Sequence, residues 1–361
     1  MKRIGIAVSA LVAVCAAAVQ AQAPAPARPT VAADGTVSAT VTVPLSNFLS
    51  AQAKAQLKDL LTAAPNPSAM TAGIEGMRKN TDERAKKVLD RWQAITHSKI
   101  EDTKIDGVRV NIVTPEGGIK PENKNRVLIN MHSGGFLFGG AYGGQIEAVP
   151  LAARAGVKVV AVDYRMAPEN VFPAASEDVE KVYRFLLKTY KPGNIGLYGC
   201  SAGGTLVGQS LAWFQDKKLP RPGAAGIFCS GLVDTFWYGG DEGEVSGLLN
   251  ATVTARPPSE SAPDAMRLYV RGTEKDPLIV PGNYPEVLAK FPPILMITGT
   301  RDVAASNVFI THRKLLEAGV DAQLYVTEGL GHGQFYMLPG TPENDIAHDV
   351  IWRFFDRHLG K

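Results

Sequence analysis

The stretch Gly199-Cys200-Ser201-Ala202-Gly203 sets a serine between glycines two residues to either side, the spacing of a turn too tight to admit side chains there. It follows a short apolar run, Ile195 to Tyr198, and opens a segment that carries Leu206, Val207 and Leu211. A serine on such a strand-to-helix turn is held in a strained backbone with its hydroxyl projecting above the sheet. It also sits at a helix N-terminus, where free N–H groups and the dipole favour developing negative charge. The chemistry implied is nucleophilic attack on a carbonyl. Upstream, Asn130-Met-His-Ser-Gly-Gly-Phe136 follows the apolar run Val127 to Met131. Glycine N–H groups, unshielded by side chains, can approach a carbonyl oxygen as charge builds on it, so Gly134 and Gly135, with the Ala202 N–H, are the expected oxyanion donors. A phosphate-cradling loop is the rival reading of these glycines, but neither G-x-x-x-x-G-K-[ST] nor G-x-G-x-x-G is present.

A serine hydroxyl needs a base to accept its proton, and the base needs an acid to fix its tautomer. Among the six histidines, His132 belongs to the glycine loop, His348 and His358 to the final helix, and His97 precedes the sheet. His312 falls in a helical stretch and is expected to face solvent. His332, in Glu328-Gly-Leu-Gly-His-Gly-Gln334, lies just past the strand Gln323 to Val326 and is the expected base. Asp302 follows the strand Ile294 to Thr298 and is the expected acid, with Asp234 a second possibility and a helix N-cap the other role open to Asp302. The order Ser, Asp, His along the chain is one that hydrolases use.

These residues need a scaffold, and the pattern from residue 100 onward supplies one. Short apolar runs at 109–113, 127–131, 157–162, 195–198, 225–229, 294–298 and 323–326 alternate with helical periodicity, as in Val179, Val182, Tyr183 and Leu186. That rhythm predicts an α/β fold with a mainly parallel central sheet covered by helices on both faces. Before it, Ser46 is expected to cap a helix running to about Leu61, and Thr81 to start another through Ala85, Val88, Leu89 and Trp92. Between Asp234 and Phe291 the alternation lapses into a Pro- and Gly-rich insertion. Pro168 and Pro173 are expected to end a strand and start a helix, with Arg165 and Glu169 pairing beneath the site.

Lys2 and Arg3, the apolar run Ile4 to Val19 and small residues through Ala23 read as a secretory signal peptide, cleaved after Ala21. The run falls short of the roughly 20 apolar residues of a spanning helix, and Pro24, Pro26 and Pro29 follow it. A mobile Pro/Ala-rich leader occupies 22–44, and the folded domain 45–361. Export to a periplasm or the outside is the expectation. The formal charge of +3 includes Lys2 and Arg3, so nothing points to steering of nucleic acid. With 45% hydrophobic and 20% charged residues the chain falls in neither the disordered nor the membrane-embedded class. Cys200 and Cys229 would remain after processing; an oxidising compartment permits a bridge between them, and two buried thiols are the other reading.

Taken together, His132-Ser-Gly-Gly-Phe136, Asp163-Tyr-Arg-Met-Ala-Pro-Glu169 with Phe172-Pro-Ala-Ala175, Gly199-Cys-Ser-Ala-Gly-Gly204, Asp302 and Gly331-His-Gly333 resemble the hormone-sensitive-lipase-like (family IV) esterases of the α/β-hydrolase superfamily. The resemblance runs from about residue 100 to the C-terminus. It implies an α/β-hydrolase fold with a helical cap, here about 45–95 and 235–290, and hydrolysis of small-molecule esters with short to medium acyl chains. It also implies no cofactor or metal. Phe136, Trp237 and Tyr238, with Met266 and Tyr269, are the apolar candidates to hold the acyl group. The chain departs from the family pattern in Ser133, where the glycine loop has its first glycine, in Cys200 before the nucleophile, and in Ser306, where a second acid often stands.

Overall fold

The computed structural model describes residues 28–63, 73–233, 245–246, 249, 265–271 and 275–360. Residues 1–44 and 45–361 form separate units. In the first, β1 (Thr30–Val31) pairs antiparallel with β2 (Val37–Ser38) across a turn in which Gly35 takes a φ of +88°.

The second unit begins with α1 (Ala51–Thr62) and α2 (Gly73–Thr96). Eight strands then make one sheet among the described residues: β3 (Lys99–Ile105), β4 (Val108–Thr114), β5 (Val127–Met131), β6 (Lys158–Val162), β7 (Ile195–Cys200), β8 (Ala224–Phe228), β9 (Ile294–Arg301) and β10 (Ala322–Gly331), in the order β10-β9-β8-β7-β5-β6-β4-β3. The neighbours from β10 to β6 run parallel, while β4 pairs antiparallel with β6 and with β3. The longer helices between them are α3 (Gly143–Ala155), α4 (Ala174–Leu186), α5 (Ala202–Asp216), α6 (Ala265–Val270) and α7 (Ala305–Glu317), with one further turn of helix at Pro285–Leu288; α8 (Gln334–Met337) and α9 (Pro342–His358) follow β10.

The central parallel strands are largely apolar because both faces are covered, while β10 at the sheet edge carries Gln323, Thr327 and Glu328. Val127, Ile129 and Met131 of β5 enter one core layer and Leu128 the other, as the two-residue period of a strand requires. β6 splits in the same way, with Val160 and Val162 against Val159 and Ala161. The chain leaves β5 to form β6 on one side and returns to form β7 on the other, so the strand order reverses at β5. Open α/β sheets bind ligands at such a point, outside the carboxyl ends of the strands.

Several local expectations are corrected. α1 is capped by Ser50, whose hydroxyl accepts the Ala53 N–H at 3.0 Å, and not by Ser46, whose hydroxyl accepts the Phe48 N–H and meets Glu328. Thr81 does not start a helix: α2 begins at Gly73, and Thr81 turns its hydroxyl to the Met77 carbonyl inside it. The added turns are held by Arg78, which donates to the Leu137 and Ala167 carbonyls and pairs with Glu169 at 2.8 Å. Arg165 therefore does not pair with Glu169; it meets Asp178 at 2.9 Å and Glu177 at 2.8 Å. β3, whose charged residues carry no apolar run, was not expected and closes the sheet edge. His312 is half-buried, with Nε2 3.3 Å from the Ala322 carbonyl, and does not simply face solvent.

The inner face of α2, Ala85, Leu89 and Trp92, packs into the core layer that also holds Leu49, Leu57 and Phe354. Trp92 is 4% exposed and donates from Nε1 to the Tyr336 carbonyl at 3.1 Å. Trp92→Ala should cost about 3–5 kcal/mol, the range for deleting a large buried aromatic. A urea midpoint unchanged from wild type would show that α2 contributes nothing to the core.

Candidate active site

Ser201 lies where β7 gives way to α5, with φ 58° and ψ −125°. A positive φ is costly for a residue with a Cβ and persists only where its surroundings fix it. The fixing groups are the Phe228 carbonyl, which accepts the Ser201 N–H at 2.8 Å, and the Ser201 carbonyl's own bond from the Thr205 N–H. The glycines are required by close approach. A Cβ on Gly203 would fall 1.9 Å from the Met131 carbonyl oxygen and 2.7 Å from that of His132, and one on Gly199 would fall 2.4 Å from Met131 O.

His332 follows β10. Its turn is held by the Gly331 N–H on Gln334 Oε1 at 2.7 Å and by Gly333, whose φ is +66° and whose N–H meets Cys229 Sγ at 3.3 Å. From there Nε2 lies 2.8 Å from Ser201 Oγ and Nδ1 lies 2.7 Å from Asp302 Oδ1. Asp302 is fully buried after β9; its Oδ1 also accepts the Ala304 N–H and its Oδ2 the Thr298 hydroxyl, each at 2.9 Å. It thus anchors the turn before α7 and orients His332 at once. Burial pushes the Asp302 carboxyl upward, but the His332 charge and the hydrogen bonds it accepts outweigh this and leave it below the ordinary range. Burial pushes His332 down; the Asp302 charge and hydrogen bond outweigh that and raise it above 6.5.

Gly134, Gly135 and Phe136 take φ values of 119°, 64° and 60° in succession. Among the described residues the Gly134, Gly135 and Ala202 N–H groups have no protein acceptor. Ala202 is the first residue of α5, whose leading N–H groups no helical carbonyl can reach. Phe136, expected to touch substrate, is instead fully buried: it stacks on Tyr269 at 4.2 Å and its carbonyl accepts the Ala167 N–H. Tyr269 is equally buried and does not line the cleft either. Trp237, Tyr238 and Asp234 lie outside the described residues, as does the Met266 side chain.

His132 is buried against Tyr164, its Nδ1 on the Ser133 carbonyl at 2.7 Å, and burial lowers it to about 4. It is a neutral packing group. Cys200 and Cys229 are buried free thiols. The ligand-type atoms of Cys229, Asp302 and His332 lie within 4.8 Å of one another, yet His332 and Asp302 already face each other and burial pushes the Cys229 thiol well above its ordinary value. Such a donor set suits proton transfer better than metal binding, which needs the thiolate. Beside Ser201 a cleft opens, lined by Thr205, Leu232, Val233, Ile279 and Asn307 among others. None of these was singled out from sequence, because cleft lining has no period and no motif.

The alpha/beta hydrolase fold family matches residues 128–336. The chain belongs to this family. It is similar to an acetyl-hydrolase of Streptomyces hygroscopicus, 28% identical over 261 residues covering 71% of this chain and 84% of that one. A versiconal hemiacetal acetate esterase of Dothistroma septosporum is 24% identical over 67% of this chain and 75% of its own. The crystal structure of an esterase superposes with a TM-score of 0.76 at 29% identity, covering 89% of this chain and 98% of that chain. An esterase of the bacterial hormone-sensitive lipase family shares the fold at TM-score 0.63 and 24% identity, over 82% of this chain and all of its own. The resemblance drawn from the motifs is thereby met.

Gly203→Ala should displace the turn, since backbone stands where the methyl would go. Its stability should fall by the upper part of the roughly 1–3 kcal/mol range for overpacking, or more. A folded Gly203→Ala protein with wild-type melting temperature would refute the close-approach argument.

Proposed function

We propose that this α/β hydrolase is a serine carboxylesterase. Ser201 attacks the ester carbonyl, His332 Nε2 takes its proton, and Asp302 holds His332 in the tautomer that makes this possible. Gly134, Gly135 and Ala202 receive the oxyanion. His332 then gives its proton to the departing alcohol, and water, activated by the same nitrogen, releases the acid. The observation that carries this reading is the pair of contacts, 2.8 and 2.7 Å, joining residues 131 and 30 positions apart in the chain into one hydrogen-bonded series. That similar proteins are named as an acetyl-hydrolase and an acetate esterase supports an ester substrate.

Leu232, Val233 and Ile279 give the cleft beside Ser201 an apolar wall suited to short and medium acyl chains. Residues 1–21 act as an export signal ahead of a leader at 22–44, placing the mature protein in a periplasm or outside the cell; segments about 45–95 and 235–290 cap the site. N-terminal sequencing of the exported protein tests the cleavage after Ala21.

Wild type should hydrolyse p-nitrophenyl acetate and butyrate, and Ser201→Ala should lower kcat by at least about 10⁴-fold. Lactone and peptide substrates in the same panel separate the other reactions open to these residues. Turnover undiminished in Ser201→Ala would sink the assignment. Because a protonated His332 cannot act as base, activity should rise with pH through its raised pKa, so the acid limb of kcat/KM should be centred above 6.5. An inflection below that value would contradict the contact with Asp302.

A further inference from the structure

Glu147 stands in the run Ile146-Glu-Ala-Val-Pro-Leu-Ala152 of α3, every residue of which is buried. Its side chain faces inward, and the residue is only 4% exposed. Among the described residues its carboxylate meets no cation; it accepts the Ser133 N–H at 2.8 Å and Asn130 Nδ2 at 3.1 Å. Ser133 is the residue immediately before Gly134 and Gly135. Its carbonyl is held by His132 Nδ1 at 2.7 Å, and its hydroxyl meets Tyr336 Oη at 3.1 Å. A carboxylate buried without a cation is costly to desolvate, and what it holds here, besides Asn130 and the Cys200 backbone, is one peptide of the glycine loop.

We propose that Glu147 is a positioning residue: by accepting the Ser133 N–H, its ionised carboxylate fixes that peptide and thereby the aim of the Gly134 and Gly135 N–H groups at the substrate oxygen. The inference rests on the serine-esterase reading of Ser201. The groups facing Glu147 are His132 and Ser133 from the glycine loop, Tyr164 beyond β6, Tyr198 and Cys200 on β7, Tyr336 on α8, and His348 of α9 across a small buried cavity. Burial lowers His132 and His348 to about 4 and pushes the phenols and the Cys200 thiol upward, so these stay uncharged near neutral pH. Burial raises Glu147 to about 7 against the hydrogen bonds it accepts. Near that pH it is the member of this group that changes charge. Protonation turns a charge-assisted bond to Ser133 into a neutral one, roughly half as strong.

The test is the pH profile of kcat/KM with p-nitrophenyl acetate. Because loss of the Glu147 charge lowers the rate about tenfold, the slope of log kcat/KM on the acid side should steepen beyond the single His332 ionisation, to about 1.5, over roughly one pH unit below 7, and return to about 1 at lower pH. Glu147→Gln, which keeps the shape and loses the charge, should hold the slope to about 1 throughout and lower kcat about tenfold, with KM within about twofold. Its affinity for a trifluoromethyl ketone, which forms an oxyanion on Ser201, should fall by the same factor. A role limited to packing would lower the melting temperature and leave slope and kcat alone. A wild-type slope that nowhere exceeds about 1, read without any variant, overturns the proposal, as does a Gln variant with the wild-type profile. Absence of turnover on every ester removes the esterase reading first and this inference with it.

Discussion

The approach of the Met131 carbonyl to the turn around Ser201 is the constraint on which the rest of the site depends. β5 and β7 are parallel neighbours with Met131 opposite Gly199, and α5 must turn back immediately over that register. Two glycines are the condition for this turn, since a methyl at either place would lie within 2.4 Å of the Met131 oxygen. The same crossing sets the distance between the proposed nucleophile and the proposed oxyanion loop, because the chain enters that loop directly from Met131. Ser201 and the loop therefore hang from one backbone contact. Their mutual placement follows from sheet register, which slips only in whole residues.

The two buried carboxylates near this crossing show how environment divides roles. Asp302 is fully buried but faces His332 and two further donors, and its pKa falls below the ordinary value. Glu147 is almost as buried, accepts hydrogen bonds only from neutral groups, and is raised to about 7. Burial is common to both; the charged partner decides the sign. Asp302 is thus a fixed anion over the working range, a suitable orienter for a histidine that gains charge during the proposed reaction.

What sequence could show follows the same division. Apolar runs long enough to be covered on both faces located the central strands; β5 matches its expected bounds, Val127 to Met131. Ser201, His332 and Asp302 were legible because motif and chain order constrain them, and the structure brings those three together. β3 was missed because it is an edge strand of mostly charged residues, EDTK at its centre, without an apolar period. The start of α2 was misplaced because its first turns are held by Arg78 reaching carbonyls 59 and 89 residues away. Phe136 was misassigned for a related reason: its position beside the glycines suggested the substrate face, and its burial is decided by Tyr269, more than a hundred residues on.

Ser133 illustrates how a departure from a family pattern can be absorbed. A glycine there would leave the loop held at this residue by Glu147 and His132 through its backbone N–H and carbonyl alone. The serine adds a hydroxyl that meets Tyr336 Oη at 3.1 Å, and Tyr336 in turn offers its carbonyl to Trp92 at 3.1 Å. Tyr336 stands four residues after His332, so this side chain ties the glycine loop to the turn that carries the proposed base, while its backbone ties that turn to α2. The Ser133 N–H, unaffected by the substitution, remains bound to Glu147. The extra hydroxyl thus binds two separate loops together through side chains, where the strand register alone fixes only their backbones.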